Sequence, residues 1–240
     1  MRRDLGIEAA GNRAGDAMGG WPGEVVAAAG GLAAAVVASI RGLAAWHVPA
    51  AVGGGLIVVL GKAAGLVQAL LGVRGRTLTE EEKRLLTAVY RDSVDMAAVR
   101  VVPGFAGVFG MNPRPFTLGG TIYLKNVTAP AVLVHECAHV WQYQHLGCRY
   151  TFDALWAQVF VKPSAYRWTD ELDRGKTRWR EFNREAQAQF LEDLVRYGRQ
   201  VPATMEPGEF FTGTDVRFEI AGVDHTALAE ATVAEVRASH

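Results

Sequence analysis

The stretch from Ala131 to Leu146 constrains the fold more than any other part of this sequence. Apolar residues precede and follow His135 and His139, and this pattern predicts one buried helix. Residues four apart lie on the same face of a helix, about 6 Å apart along its axis. Two imidazoles spaced in this way can bind one metal ion, so the stretch predicts a metal site on a core helix.

The residue after the first histidine indicates what such a metal would do. His135, Glu136 and His139 form the pattern H-E-x-x-H, in which the glutamate is not a ligand. Glu136 lies about 100° around the helix from His135, so its carboxylate can reach a water molecule at the metal. The pattern therefore indicates Zn²⁺ chemistry with Glu136 as general base. Cys137 points away from the histidine face, and we interpret it as a packing residue.

Composition excludes some classes of protein and leaves room for a sizeable core. The chain has 240 residues, 50% hydrophobic content and a formal net charge of +0. That length suits one large domain or two small ones, and the balanced charge gives no basis for binding nucleic acid. The two cysteines, Cys137 and Cys148, are too few for a disulfide framework.

The first 76 residues differ in kind from the rest of the chain. Residues 1–20 are polar and rich in Gly and Arg, which predicts a mobile arm. Residues 21–76 are apolar and rich in Gly and Ala, and they predict a helical hairpin. Through residues 25–71 this hairpin would contact a membrane or an apolar partner. The alternatives are two helices buried against the following domain and a leader that packs poorly.

Residues 77–240 mix helix and strand patterns, which predicts an α+β domain. A capping box at Thr79 begins one helix. Val99 to Val102 reads as a strand, and Phe116 to Leu124 as a short hairpin around two glycines. We predict that Thr128 caps the helix that carries His135 and His139.

Three further elements follow the metal helix along the chain. Lys176 to Tyr197 predicts one long helix with a buried aromatic side, closed by Gly198. Val216 to Ile220 alternates between apolar and charged residues and predicts a strand, and Thr226 to Ala238 predicts an amphipathic helix.

Zinc hydrolases commonly use three protein ligands and leave the fourth position to water, and two residues compete for the third position here. His145 follows His139 at the metzincin spacing, but Gln142 stands where that pattern has a Gly. The helix therefore continues and turns His145 to another face. Glu185 lies one turn from Phe182 and borders the apolar face of the later helix. The pattern favours Glu185 over His145.

Four stretches of the chain resemble a bacterial family of gluzincin-like zinc metallopeptidase domains, whose genes often lie beside injection-system and polymorphic-toxin genes. The matching stretches are residues 78–102, residues 117–124, LVHECAHVWQYQ from 133 to 144, and FNREAQAQFLEDL from 182 to 194. The resemblance implies a small zincin fold, with an edge strand near Thr121 to Leu124 over the metal cleft. It also implies Zn²⁺ held by His135, His139 and Glu185, with Glu136 as general base.

One position departs from the family pattern. Gln189 stands four residues after Glu185, where gluzincins often carry an Asp that supports a metal ligand. The residue that would stabilise an oxyanion is left open by the sequence. The candidates for that role are Tyr143, Tyr150, Tyr166 and His225.

Two functions are consistent with these patterns. The first is a zinc-dependent peptidase that acts on a peptide or protein substrate. The alternative is a non-catalytic, membrane-inserting or toxin- and injection-system-associated module on a zincin scaffold. Arg2-Arg3 is not followed closely by an apolar stretch, so a typical signal peptide is not expected. Cytoplasmic, membrane-associated and exported bacterial locations all remain open.

Overall fold

The computed structural model describes residues 75–107, 114–146, 164–200 and 215–239, together with the single positions 59, 63 and 211. Within this part of the chain, five α-helices and a small sheet of three strands give the predicted α+β fold. The predicted arm and nearly all of the predicted apolar hairpin lie outside the described residues. None of the helices in the described ranges has the length and apolar content that crossing a membrane requires.

The helices and strands of the described ranges follow one another in a simple order. The helices are α1 (Glu80–Tyr90), α2 (Pro130–Leu146), α3 (Trp168–Asp173), α4 (Arg184–Tyr197) and α5 (Thr226–Ala238). The main sheet consists of β1 (Arg100–Val102), β2 (Phe116–Leu118) and β3 (Thr121–Tyr123), in the order β1-β3-β2. Two small antiparallel pairs are formed by β4 (Arg199–Gln200) with β5 (Val216–Arg217), and by β6 (Glu219–Ile220) with β7 (Val223–Asp224).

Helix α1 begins as the sequence predicts. The Thr79 hydroxyl accepts the backbone N–H of Glu82 at 3.2 Å, and the Glu82 carboxylate accepts the backbone N–H of Thr79 at 2.8 Å. This reciprocal capping box satisfies two amide groups that the first turn would otherwise leave unpaired. Helix α5 also has the predicted bounds.

The β2–β3 hairpin is confirmed, but the position of its strands in the sheet corrects one expectation. Gly119 in the turn has a φ of +60°, which glycine adopts without strain. Strand β3 pairs in parallel with β1 and antiparallel with β2, so β3 is central. The expected edge strand near Thr121 to Leu124 is therefore wrong. Among the described strands, β2 is the edge strand that contacts α2, where Thr117 meets Glu136.

Helix α2 is the centre of the core. Every residue from Leu133 to Gln144 is buried, because the helix is apolar around most of its circumference and is covered on all sides. It packs mainly against α4, and it also contacts α1 and strands β2 and β3. The helix begins at Pro130, and the carbonyl of Ala129 accepts the amides of Val132 and Leu133. Thr128 is therefore one residue too early to be the N-cap.

The predicted long helix from Lys176 to Tyr197 is shorter than expected. A 3₁₀ turn at Trp179–Glu181 is followed by an extended Asn183, whose side-chain oxygen accepts the amides of Glu185 and Ala186. Asn183 thus ends the preceding turn and caps α4, because its side chain competes with continued helix. Gly198 closes α4 as predicted.

The predicted strand from Val216 to Ile220 is divided in two at Phe218. The amide of Phe218 donates to the Thr226 hydroxyl at 2.9 Å, and its carbonyl accepts the amide of His225 at 2.8 Å. These bonds turn the chain, so β5 and β6 belong to different pairs. The Phe218 ring is completely buried and packs against Trp168 and Phe190.

Candidate metal centre

Helices α2 and α4 bring three ligand-type side chains together in the core. His135 and His139 lie one turn apart on α2, and Glu185 lies in the first turn of α4. The Nε2 atoms of the two histidines each lie 3.6 Å from Glu185 Oε2. All three side chains are buried, and their ligand atoms lie within 4.8 Å of one another. This group can hold a metal ion.

The spacing and the chemistry of the group fit a cation. With metal–ligand bonds of about 2.0–2.1 Å, neighbouring ligand atoms of a tetrahedral site lie about 3.3–3.4 Å apart. The two distances of 3.6 Å need only a slight contraction to reach that value. A carboxylate with 1% relative exposure requires a positive partner, because burying an isolated charge is costly.

The pKa shifts of Glu185 and His135 also favour positive charge at this site. Burial acts to raise the pKa of Glu185, but His139 and His135 lower it overall. Burial acts to lower the pKa of His135, but the neighbouring carboxylates of Glu185 and Glu192 raise it to about 10. Protons and a metal ion would therefore compete for the same imidazoles.

Glu192 supports His135 from the side away from Glu185. Its Oε2 lies 2.9 Å from His135 Nδ1, and its Oε1 pairs with Arg196 at 2.6 Å. The distance from Glu192 to His135 is that of a charged pair, although the Nδ1–H does not point well at the carboxylate. Among the described residues, His135 Nδ1 has no better-aligned acceptor. Carboxylates in this position orient a histidine and make it a stronger ligand.

Sequence reasoning looked for this carboxylate at Gln189 and missed Glu192. Glu192 lies seven positions after Glu185, nearly two helical turns, so both carboxylates lie on the face of α4 that meets α2. The helical period was the available signal, because it would have placed Glu192 near the metal helix. Gln189 instead donates to Asp193 at 2.9 Å.

His139 is supported by an amide. Gln142, which is fully buried, places its Oε1 2.9 Å from His139 Nδ1. The two histidines therefore have different partners, a carboxylate for His135 and a neutral amide for His139. In the sequence Gln142 is a departure from the metzincin glycine, and its position three residues after His139 is the signal for this contact.

Glu136 lies beside the three-residue group without belonging to it. Its carboxylate Oε2 lies 2.8 Å from the hydroxyl of Thr117 on β2, and the same hydroxyl lies 3.0 Å from the Glu136 carbonyl. Burial raises the pKa of Glu136, and the nearby His135 and His139 partly oppose this effect. The raised pKa makes the Glu136 carboxylate a stronger base than an exposed one.

Tyr166 is the one of the four oxyanion candidates that the described structure places against a metal-site histidine. Its ring stacks on His135 with centroids 6.1 Å apart, and the Arg114 guanidinium lies 5.8 Å from its centroid. Burial, with a contribution from Glu185, raises the pKa of Tyr166 to about 12, so the phenol keeps its proton. His225 packs on Trp168 instead.

The remaining two candidates are Tyr143 and Tyr150. Tyr143 is buried on α2, outside the group of three metal-type residues. Tyr150 lies outside the described residues.

Two residues near the motif are placed away from the group. His145 Nε2 lies 2.8 Å from the carbonyl of Ser93, and the His145 ring packs on Trp141. Cys137 is completely buried in the hydrophobic core, and burial raises the pKa of its thiol. Both placements agree with the sequence analysis.

Comparison with known proteins gives one informative similarity. The chain is 28% identical over 167 residues to the type VI secretion system spike protein VgrG2b of Pseudomonas aeruginosa. The similar stretch covers 60% of this chain and 16% of the spike protein. No protein-family model matches the chain. No solved structure matches it significantly.

Proposed function

We propose that the protein is a zinc-dependent peptidase associated with a bacterial injection system. The observation that carries this proposal is the convergence of two imidazole Nε2 atoms and one buried carboxylate oxygen, with Glu136 beside them. Two histidines and a glutamate are a donor set of catalytic zinc sites, which keep a fourth position for water or substrate. Bound there, Zn²⁺ would polarise the scissile carbonyl and lower the pKa of the attacking water.

Glu136 is the residue that moves the proton in this proposal. Its carboxylate would take a proton from the attacking water and pass it to the amine nitrogen as the peptide C–N bond breaks. Burial supports this role by raising the pKa of Glu136, which makes the carboxylate a stronger base than an exposed one. The hydroxyl of Thr117, 2.8 Å from Oε2, would hold one oxygen and leave the other to face the water.

Tyr166 is the proposed hydrogen-bond donor to the oxygen that gains charge. Its position against His135 puts it next to the site, and its raised pKa keeps the phenol protonated in the working pH range. Preorganised donors of this kind are often among the largest single contributions to acyl-transfer catalysis. Arg114, over the Tyr166 ring, adds positive charge at the same edge.

The association with an injection system is supported by the similarity to a type VI secretion spike protein. Because the similarity spans 16% of that protein, the proposal concerns a module that such an apparatus carries or delivers. Residues 25–71 would contact a membrane or an apolar partner during this process, since they contain almost no charge. The same similarity favours a second function, a non-catalytic module on a zincin scaffold.

Peptide cleavage with and without chelator separates the two functions. The purified full-length chain is incubated with a mixed-sequence peptide library in three conditions. In the first the protein is loaded with Zn²⁺, in the second a chelator has removed the metal, and in the third Zn²⁺ has been restored. A peptidase cleaves in the first and third conditions only. Stoichiometric zinc without cleavage of any library member favours the scaffold, and absence of bound zinc refutes the metal assignment.

A further inference from the structure

A second buried glutamine lies behind the one that contacts His139. Gln187 on α4 is 1% exposed, and its Nε2 lies 3.1–3.3 Å from the backbone carbonyls of Trp179, Arg180 and Phe182. Its Oε1 accepts the Gln142 amide at 2.9 Å and the Arg184 guanidinium at 3.2 Å. Gln187 is therefore linked to His139 through Gln142, which contacts both residues.

These contacts fix which end of the Gln187 amide faces each neighbour. Backbone carbonyls only accept hydrogen bonds, so the atom facing three of them must be the nitrogen. Turning the amide over would set its oxygen against three carbonyl oxygens in a buried place, at a large electrostatic cost. The Gln187 oxygen must then face Gln142.

The orientation of Gln142 follows from that of Gln187. Its nitrogen faces two groups that accept, Gln187 Oε1 at 2.9 Å and the Arg184 carbonyl at 3.0 Å. Its oxygen is left to face His139 Nδ1 at 2.9 Å, and that nitrogen must carry the proton. The lone pair of the neutral imidazole is thereby assigned to Nε2, the atom that lies 3.6 Å from Glu185.

We propose that Gln187 is a positioning residue that acts through Gln142 to fix the Nδ1–H tautomer of His139 and so directs its Nε2 to the metal. Two of the carbonyls that hold Gln187 belong to the 3₁₀ turn before α4, and the third belongs to Phe182, between that turn and the Asn183 cap. The backbone segment that leads into the Glu185 helix thus also sets the tautomer of His139. The inference rests on the metal binding in the proposed function and does not require peptidase activity.

Metal affinity and ligand-atom identity test this inference. Gln187→Leu and Gln142→Leu are compared with Gln144→Leu, which removes another buried glutamine from α2. Gln144 bonds to the backbone of Asp95 and lies outside the chain of contacts to His139, so it is a matched control for the loss of a buried amide. Zinc affinity is measured by chelator competition, and the ligand nitrogens are identified by ¹¹³Cd–¹⁵N coupling in ¹⁵N-histidine protein.

The wild-type protein is expected to show cadmium coupling to Nε2 of both His135 and His139. Gln187→Leu and Gln142→Leu should each weaken zinc binding by about 10-fold to 100-fold, while Gln144→Leu should change it by less than about 3-fold. The double variant of Gln142 and Gln187 should lose little more than either single variant, since both act through one contact. The His139 coupling to Nε2 should weaken or divide between the two nitrogens in the single variants.

Several results overturn the inference. One such result is that Gln187→Leu binds zinc as tightly as Gln144→Leu does. Another is cadmium coupling of the wild-type protein to His139 Nδ1 instead of Nε2. If Gln187→Leu does not fold, Gln142→Leu and the wild-type coupling decide. A zinc affinity of Gln142→Leu equal to that of Gln144→Leu would overturn the inference, because Gln142 is the link between Gln187 and His139. A wild-type chain that binds no metal refutes the metal site of the proposed function as well. Zinc binding without peptide cleavage leaves this inference intact.

Discussion

Replacing Glu171 should destabilise the start of the helix that carries Glu185. The Glu171 carboxylate is 2% exposed and accepts the backbone amide of Asn183 at 3.1 Å and its side-chain amide at 3.3 Å. Arg174 and Lys176 also pair with it. Glu171 therefore holds the N-cap of α4 in place from outside the helix.

The expected cost of Glu171→Ala can be built from these contacts. Hydrogen bonds to a charged group contribute about 1.5–3 kcal/mol each, and the longer bond to the Asn183 side chain belongs at the low end. The two cations are 46% and 35% exposed, so each pair contributes at most about 1 kcal/mol. Allowing for partial replacement by water, we expect Glu171→Ala to lower the free energy of unfolding by about 3 kcal/mol. Glu171→Gln keeps one acceptor and should cost about half as much.

The effect should depend on pH in a defined direction. Burial acts to raise the pKa of Glu171, but Lys176 and Asn183 lower it overall, below its ordinary value of 4.5. A group whose pKa is lower in the folded state stabilises fully above its unfolded pKa. That stabilisation is lost as the pH falls through the folded pKa. The difference in unfolding free energy between wild type and Glu171→Gln should therefore be constant near neutral pH and shrink below about pH 4.5.

Urea unfolding of the purified metal-free chain is followed by circular dichroism from pH 3 to 8. It measures the loss of unfolding free energy in each variant and the dependence of that loss on pH. Glu219→Ala is the control, because Glu219 forms an exposed ion pair with Arg217 and its loss should cost at most about 1 kcal/mol. A loss for Glu171→Ala no larger than that of the control would refute the capping argument. A difference that grows on acidification would refute the sign of the pKa shift.

Three further predictions concern the site and the amino-terminal region. Glu185→Ala should weaken zinc retention in chelator competition far more than His145→Ala, because His145 is bonded to the Ser93 carbonyl; the reverse order would reject the ligand assignment. Tyr166→Phe should leave zinc content unchanged and lower kcat by about 10²-fold to 10³-fold, and an unchanged kcat would remove Tyr166 from the mechanism. Deleting residues 25–71 should leave a chain that still binds zinc but no longer floats with liposomes, whereas a full-length chain that stays unbound and monodisperse without detergent would contradict the membrane contact.

Helix α2, the start of helix α1 and the β2–β3 hairpin were predictable because their sequence signals are local. The spacing of His135 and His139, the capping box at Thr79 and the glycines of the hairpin each act within a few residues. Glu185 could be singled out because the helical period puts it beside the buried face of α4. The described structure confirms the capping box and the hairpin, and it brings His135, His139 and Glu185 together as a group that could hold a metal ion. Their role as metal ligands stays a prediction.

Features that depend on packing between distant segments were not predictable from one sequence. The order of strands in the sheet depends on the parallel pairing of β1 with β3, which no local pattern encodes. The break before α4 depends on Glu171 holding Asn183, and the division of the strand at Phe218 depends on Thr226 and His225. The partner of His135 was sought at Gln189 because of a family pattern, while the helix supplies it one turn later.

The central claim is that a bound metal and Glu136 together hydrolyse peptides, and Glu136→Gln tests it most directly. The substitution keeps the size and polarity of the side chain but removes its ability to accept a proton. Zinc content, measured by metal analysis, should be equal in the variant and the parent, because Glu136 is not among the three metal-type residues. Peptide cleavage should fall by a factor of about 10² to 10⁴, which corresponds to roughly 3 to 5 kcal/mol of barrier. A zinc-loaded Glu136→Gln variant that cleaves at the parent's rate would contradict the mechanism.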